Sequence, residues 1–267
     1  NILDRYKNYA ENFDRRLDAV IDGVTQYKIV RSIQQELPAL DILKTAKISD
    51  LVETIGHAKS ARLNSHDLKK IAEQNISDSE TISAEASSVL QNLVPRMRFS
   101  AALEQVYQPL LELLVSHTSD QPIVGNIERI ANFLARELAS LINEEGSKEK
   151  PTVGKLSKWR EKYFELTSSG SYRLKDYIKN KKLLSLAYVM EQYENKLRTE
   201  GLFDFADMIE EAIHVLREDE GFRLTMSQVF QYILLDEFQD TNPSQFEIIK
   251  LLTDYEKPVV MAVGDDD

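Results

Sequence analysis

The stretch Val229-Phe-Gln-Tyr-Ile-Leu-Leu-Asp-Glu-Phe-Gln-Asp-Thr-Asn242 decides how this chain is read. Seven mainly apolar residues run straight into the acid pair Asp236-Glu237. Pro243 stands where proline favours a helix start, which predicts a helix over 243–254. A second apolar run, Pro258-Val-Val-Met-Ala-Val263, ends on Gly264-Asp-Asp-Asp267. Strand, helix, strand, with each strand buried and ending in carboxylates, is the pattern of a parallel α/β sheet. Strands are expected at about 230–235 and 258–263. Ligand chemistry in such sheets gathers at the carboxyl ends of the strands.

An acid pair there suits a nucleoside-triphosphate site. One carboxylate can hold Mg²⁺ beside the phosphates, while its neighbour orients or deprotonates the attacking water. The dipeptide alone is equally well explained by solvated acids at a strand end.

Outward from this stretch the texture changes to helix. Ile2, Leu3, Tyr6, Tyr9, Phe13, Leu17, Val20 and Ile21 recur at 3–4 spacing and predict a helix over 2–21. Ser49 is a candidate cap for a helix from Asp50. Asn64-Ser65 opens a short helix over 66–74, followed by one over 77–93. The most apolar helix, 99–117, should kink or split at Pro109. Residues 118–125 read as a loop and 126–143 as an amphipathic helix. The best internal linker is 144–154, Glu-Glu-Gly-Ser-Lys-Glu-Lys-Pro-Thr-Val-Gly. Helices follow at about 155–167, about 173–199 with a break near Asn180, and 204–217. Glu218-Asp-Glu220 reads as a solvated loop. The expectation is a mainly α chain: a helical subdomain over 1–225, then a partial parallel α/β piece over 226–267.

The 267 residues are 42% hydrophobic and 29% charged, which suits a globular protein with a charge-rich surface. There is no cysteine, so disulfides, Cys-based metal sites and thiol nucleophiles are excluded. Four scattered histidines show no zinc-ligand spacing. No apolar run nears the roughly 20 residues that span a bilayer, so no membrane partner and a cytoplasmic location are expected. The net charge of −11 is segregated. Residues 148–182 carry eleven Lys/Arg against four Asp/Glu, and residues 200–267 carry seventeen acids against four bases. Local potential, not global charge, steers binding.

The string Leu234-Leu-Asp-Glu-Phe-Gln-Asp-Thr-Asn242, Gln245, then Val263-Gly-Asp-Asp-Asp267 closely resembles the nucleotide-hydrolysis motifs of superfamily 1A DNA helicases, the UvrD/Rep/PcrA type. Tyr193 to Ile209, with Asp204-Phe-Ala-Asp207, resembles a second segment of that family. The likeness is specific over about 185–267 and weaker over about 1–75, where the helices suit the family's 1B subdomain. Residues 77–170 match no family segment and read as an insertion or a diverged part of 1B. The resemblance implies a RecA-like P-loop NTPase piece in which Asp236 serves Mg²⁺ and Glu237 is the catalytic base. Gln239 and Asp240 would couple the site to neighbouring motifs, and Asp265 and Asp266 would lie beside the γ-phosphate. It further implies ATP as the nucleotide, DNA as the partner at a junction of single strand and duplex, and 3′-to-5′ movement.

The sequence departs from the family at one decisive point: no Gly-x-x-x-x-Gly-Lys-[Ser/Thr] occurs in it. Without that loop the phosphates lose their backbone cradle and lysine. The chain is therefore expected to be a central fragment of a helicase, inactive by itself, and to hide apolar sheet surface by self-association. A nuclease domain outside this window stays open. The alternative is a helical DNA- or protein-interaction module with a decayed or partial nucleotide domain.

The basic segment is the second candidate site. Lys155, Lys158, Arg160 and Lys162 interleave with Trp159, Tyr163 and Phe164, a pattern that suits non-specific contact with DNA phosphates. The same pattern also describes a solvated helix face over an aromatic core, the more natural place for Trp159.

Overall fold

The computed structural model describes residues 2–9, 20–94, 96–143, 152–254 and 258–265. The linker expected at 144–154 lies mostly outside these residues, as do 10–19 of the first expected helix. The chain is mainly helical. It divides into two compact units, one made of Asn1–Ser65 with Val189–Asp267, the other of His66–Tyr188. Compactness thus groups the chain differently from the division by role at 225/226.

In the discontinuous unit, α1 (Ile2–Tyr9), α2 (Gly23–Glu36) and α3 (Ile48–Ser60) come from the first segment. Asp22 caps α2 by accepting from the Thr25 N–H at 2.8 Å. Helix α3 begins one residue before the expected Ser49 cap, with Lys47 at the cap position and no side-chain cap bond. Val20 pairs with Phe203 in an isolated parallel bridge, so the first expected helix does not extend through 20. The second segment adds the end of α9 (Asp176–Glu200), α10 (Phe205–Glu218), α11 (Glu220–Val229) and α12 (Pro243–Thr253). Glu218-Asp-Glu220 is not a solvated loop. Asp219 caps α11, accepting from the Phe222 N–H at 2.8 Å, because its carboxylate meets the otherwise unpaired first-turn donors. The core packs Leu3, Ile213, Leu216, Phe222, Met226, Leu251 and Leu252.

Strands β3 (Tyr232–Leu235) and β4 (Val259–Ala262) run parallel, with Tyr232 opposite Val259 and Leu235 opposite Ala262. Their apolar runs suit buried strands, and in this chain they leave uncovered the apolar sheet surface expected where no phosphate loop stands beside them. Leu234 is 76% and Met261 56% exposed, and among the described residues neither strand has a further neighbour. Only Ile233 reaches the core.

The contiguous unit contains α4 (Ser65–Gln91), α5 (Phe99–Ala102), α6 (Gln108–Ser116), α7 (Ile130–Asn143), α8 (Val153–Tyr163) and the start of α9. The two helices expected at 66–74 and 77–93 are one. Asn75 and Asn180 lie side by side, 3.4 Å apart, and neither breaks its helix. The helix around Pro109 does split, but on its N-terminal side. Leu103–Tyr107 forms a turn of π-helix, and Pro109 enters α6 in its first turn. Proline has no N–H for the preceding turn, and widening that turn absorbs the missing bond.

Two segments expected to be helical form a hairpin instead. Strand β1 (Phe164–Leu166) pairs antiparallel with β2 (Tyr172–Leu174) around Thr167-Ser-Ser-Gly-Ser171. Gly170 takes φ +79° there, a conformation that favours glycine. Trp159 is buried with Phe164, Leu134, Leu138 and Leu156 in this unit's core, as a structural role demands.

Candidate functional site

The parallel register of β3 and β4 brings both strand ends to one level, and backbone bonds extend the ladder past them. Val263 N–H donates to the Leu235 carbonyl at 2.8 Å and Phe238 N–H to the Val263 carbonyl at 2.9 Å. Between these bonds the chain turns sharply at Glu237, whose φ of +50° and ψ of +49° are left-handed. A non-glycine residue pays about 1–2 kcal/mol for that geometry, which here lifts Glu237 out of the strand's alternation. Asp236 accepts from the Glu237 N–H at 3.1 Å through Oδ1, leaving Oδ2 open among the described residues. Both acids are exposed.

Gln239 ties the two strand ends together. Its Nε2 donates to Glu237 Oε2 at 2.6 Å, and its Oε1 accepts from the Asp265 N–H at 3.0 Å. The approach is possible because residue 264 is glycine. A Cβ there would lie 2.4 Å from Gln239 Oε1 and 3.1 Å from the Phe238 nitrogen. Asp240 closes a 3-10 turn through its N–H to the Glu237 carbonyl at 2.8 Å. Asn242 and Gln245 then form a reciprocal capping box at the start of α12. Asp236, Glu237, Gln239, Asp240 and Asp265 are thus gathered at one end of the β3–β4 pair. Asp266 lies outside the described residues.

Asp236 offers a hard, exposed oxygen of the kind Mg²⁺ prefers. No cluster of three or more His, Asp or Glu side chains with metal-site geometry occurs among the described residues.

The basic residues are less uniform. Lys155, Lys158 and Lys162 recur at 3–4 spacing and share a face of α8. Arg160 is off that face. It donates to the Leu93 carbonyl at 3.2 Å and lies over the Tyr172 ring at 5.2 Å. Lys162 is ion-paired with Glu137 at 3.2 Å, and Tyr163 hydroxyl donates to the same carboxylate. Lys158 is exposed, and the Lys155 N–H caps onto Thr152.

Reading the sequence missed a buried ionic network. Lys59, 9% exposed, lies 2.6 Å from both Asp204 and Asp207. Tyr193, fully buried, donates to Asp204 at 3.0 Å. Burial opposes the Asp204 charge, yet Lys59 and these hydrogen bonds outweigh it and hold its pKa below the ordinary value. Asp207, desolvated and facing Asp204, is pushed up. A cavity of about 650 Å³ opens beside the network, between the ends of α3 and α9 and the start of α10. The signal was present as Asp204-Phe-Ala-Asp207, but its partner Lys59 is 145 residues away.

A strand-end acid cluster on a parallel pair, carried by a mainly helical chain, is the arrangement seen here, and the comparisons place it. The UvrD/REP helicase N-terminal domain family model matches residues 2–267, and the chain belongs to that family, a UvrD/Rep-type superfamily 1 helicase family. A probable DNA helicase of Mycoplasma pneumoniae is 42% identical over 79 residues, 30% of this chain and 15% of the relative. The ATP-dependent DNA helicase Rep of Buchnera aphidicola subsp. Acyrthosiphon pisum is 40% identical over 81 residues, 30% of this chain and 12% of the relative. Rep of Escherichia coli is 37% identical over 75 residues, 28% of this chain and 11% of the relative. The chain therefore matches only a small part of these relatives' length.

Proposed function

We propose that this chain is a central piece of an ATP-dependent DNA helicase that couples ATP hydrolysis to 3′-to-5′ movement on DNA. Residues 226–267 are part of a RecA-like nucleotide core, and residues 1–225 are a 1B-like helical subdomain. The observation that carries this reading is the left-handed turn at Glu237, which sets that carboxylate beside Asp236 while Gln239 bridges to the end of β4. Asp236 would hold Mg²⁺ through its open oxygen, and the ion would neutralise phosphate charge when bound. Glu237 takes the proton of the attacking water. Gln239 fixes the rotamer of Glu237 and senses the Asp265 backbone. Asp240 and Asp265, with Asp266 beyond them, support the same loop. DNA is the partner, contacted through the basic stretch that contains Lys155, Lys158, Arg160 and Lys162. No helix among the described residues is long and apolar enough to cross a membrane, which suits a cytoplasmic enzyme. The exposed apolar faces of β3 and β4 would be covered by the rest of the core, and in the isolated chain by self-association.

The test separates the two acids in the full-length protein. Glu237→Gln should lower turnover by about 10²–10⁴-fold, the usual contribution of a general base, while ATP binding survives. Asp236→Asn should instead weaken Mg²⁺-dependent nucleotide binding. Near-normal DNA-stimulated ATPase activity in Glu237→Gln would overturn the assignment. The chain alone, lacking a phosphate loop, should show no micromolar ATP binding by calorimetry.

A further inference from the structure

Ser244 is the first buried residue after the acid loop. From Gln228 to Pro243 no residue is buried, so the turn at Glu237 gains little from packing within its own stretch. Ser244, 2% exposed, then pins the chain to the core at the second position of α12. Its hydroxyl faces two acceptors. Glu210 Oε1, on α10, lies at 2.8 Å, and the carbonyl of Ser60, the last residue of α3, at 3.2 Å. One proton serves both, and the carboxylate is the nearer. The chain between Ser244 and Glu237 is hydrogen-bonded along its length. Asn242 and Gln245 cap α12 reciprocally, the Thr241 N–H donates to the Phe238 carbonyl at 3.1 Å, and the Asp240 N–H donates to the Glu237 carbonyl at 2.8 Å. A segment tied in this way moves as one piece, so the seat of Ser244 sets where the Glu237 turn ends.

The carboxylate that receives Ser244 has a holder of its own. Arg62 Nε lies 3.2 Å from Glu210 Oε1. Helix α3 ends with the Arg62 N–H donating to the Lys59 carbonyl and the Leu63 N–H to the Ala58 carbonyl, both at 2.9 Å. Arg62 takes φ +61° to make that ending. Helix α9 ends in the same pattern, with the Leu202 N–H donating to the Leu197 carbonyl at 2.8 Å, but there Gly201 fills the left-handed position. Glycine takes that conformation freely, whereas a residue with a Cβ is strained in it. What arginine adds at position 62 is a guanidinium beside Glu210. The two closing bonds of α3 also use the Ala58 and Lys59 carbonyls and leave that of Ser60 to Ser244.

We propose that Ser244, seated on Glu210 and Arg62, is a positioning residue for the Glu237 carboxylate and acts through α12 and its cap. The proposal rests on the reading of Glu237 as the general base. Proton transfer tolerates little displacement, and a shift of about 1 Å can lower a rate by about 10²-fold. A second tie joins the same two helices, from Arg217 Nη2 to Glu247 Oε1 at 2.6 Å, one helical turn farther from the loop. It distinguishes simple docking of α12 from placement of the turn.

The experiment measures DNA-stimulated ATPase activity of the full-length protein at saturating DNA while ATP is varied. Ser244→Ala should lower kcat by about 10–100-fold and leave KM for ATP within about twofold. Arg62→Gly relieves the left-handed strain, so its thermal midpoint should hold or rise, yet its kcat should fall. That variant decides the matter if Ser244→Ala folds poorly. Arg217→Gln should leave kcat within about twofold, as befits an exposed ion pair. In single-turnover measurements, adding Ser244→Ala to Glu237→Gln should slow the residual reaction no further, because nothing is left to position. Additive losses would make Ser244 a structural residue. So would an equal fall in Arg217→Gln, or an unchanged kcat in Arg62→Gly. If Ser244→Ala keeps normal turnover while Glu237→Gln abolishes it, the positioning role falls and the general base stands. If Glu237→Gln is itself near normal, the reading of the acid pair falls and takes the positioning role with it.

Discussion

Two acid pairs sit in the same compact unit and are used in opposite ways. Asp204 is buried and Asp207 half-buried around Lys59, with Tyr193 and a reciprocal capping box taking up their oxygens. Asp236 and Glu237 are exposed at a strand end, and only part of their acceptor capacity is used inside the protein. A carboxylate with all its partners supplied by the fold holds helices together. A carboxylate with open oxygens, kept in place by a strained turn, is available to a ligand. Acidity alone does not separate the two roles; the account of donors does.

That contrast can be broken first at Lys59. Lys59→Met should destabilise the chain by about 3–5 kcal/mol, because two carboxylates lose their buried counter-ion. The sign of its pH dependence follows from Asp204. Its folded pKa is depressed, so its contribution is present above the unfolded value and is lost as pH falls through the folded one. Without Lys59, burial is left to push both Asp204 and Asp207 above their ordinary values, so the variant regains stability as they take up protons and the penalty should shrink as pH falls. Urea unfolding of both proteins at pH 8 and pH 5 measures this, and an equal penalty at both would mean the network is not ionic.

A smaller effect is expected at the open site. Gly264→Ala should displace the Gln239 side chain and break its bond to the Asp265 N–H, costing about 1–3 kcal/mol. In a Gln239→Ala background the same change should cost less, since the flexible atom in the way is gone. Thermal unfolding of the four proteins in that cycle gives the coupling, and simple additivity would show that the contact is incidental.

The smallest effect has the opposite sign. Glu237→Gly should stabilise the isolated chain by about 1 kcal/mol, because glycine takes the left-handed turn without strain. The residue proposed to do chemistry would then be one whose removal improves stability. A lower melting temperature would place Glu237 among the structural acids instead.

Much of this contrast was legible beforehand. The apolar runs, the acids at their ends and Pro243 locate β3, α12 and β4 to within a residue or two, because turn chemistry and capping are local. The positions of the site residues follow from that stretch alone. An apolar run reports that a strand wants covering, and the uncovered apolar surface expected of this chain is what β3 and β4 show. The hairpin was missed although Thr167-Ser-Ser-Gly-Ser171 is a turn signal between Phe164-Glu-Leu166 and Tyr172-Arg-Leu174. Helical spacing on both sides outweighed three-residue strands. The Lys59 network and the seat of Ser244 were not visible, because their partners lie far along the chain. Asn180 was read as a break, but burial beside Asn75 compensates its weak helix preference.

The division into units also sets an order of events as the chain emerges from a ribosome. Residues 66–188 are one unbroken segment and can fold as soon as they are made. Asn1–Ser65 cannot complete its unit until Val189–Asp267 has been added, because Lys59 waits for Asp204 and Val20 for Phe203. Within this stretch, the helices of Asn1–Ser65 are therefore made before residues 66–188 yet find their partners after them.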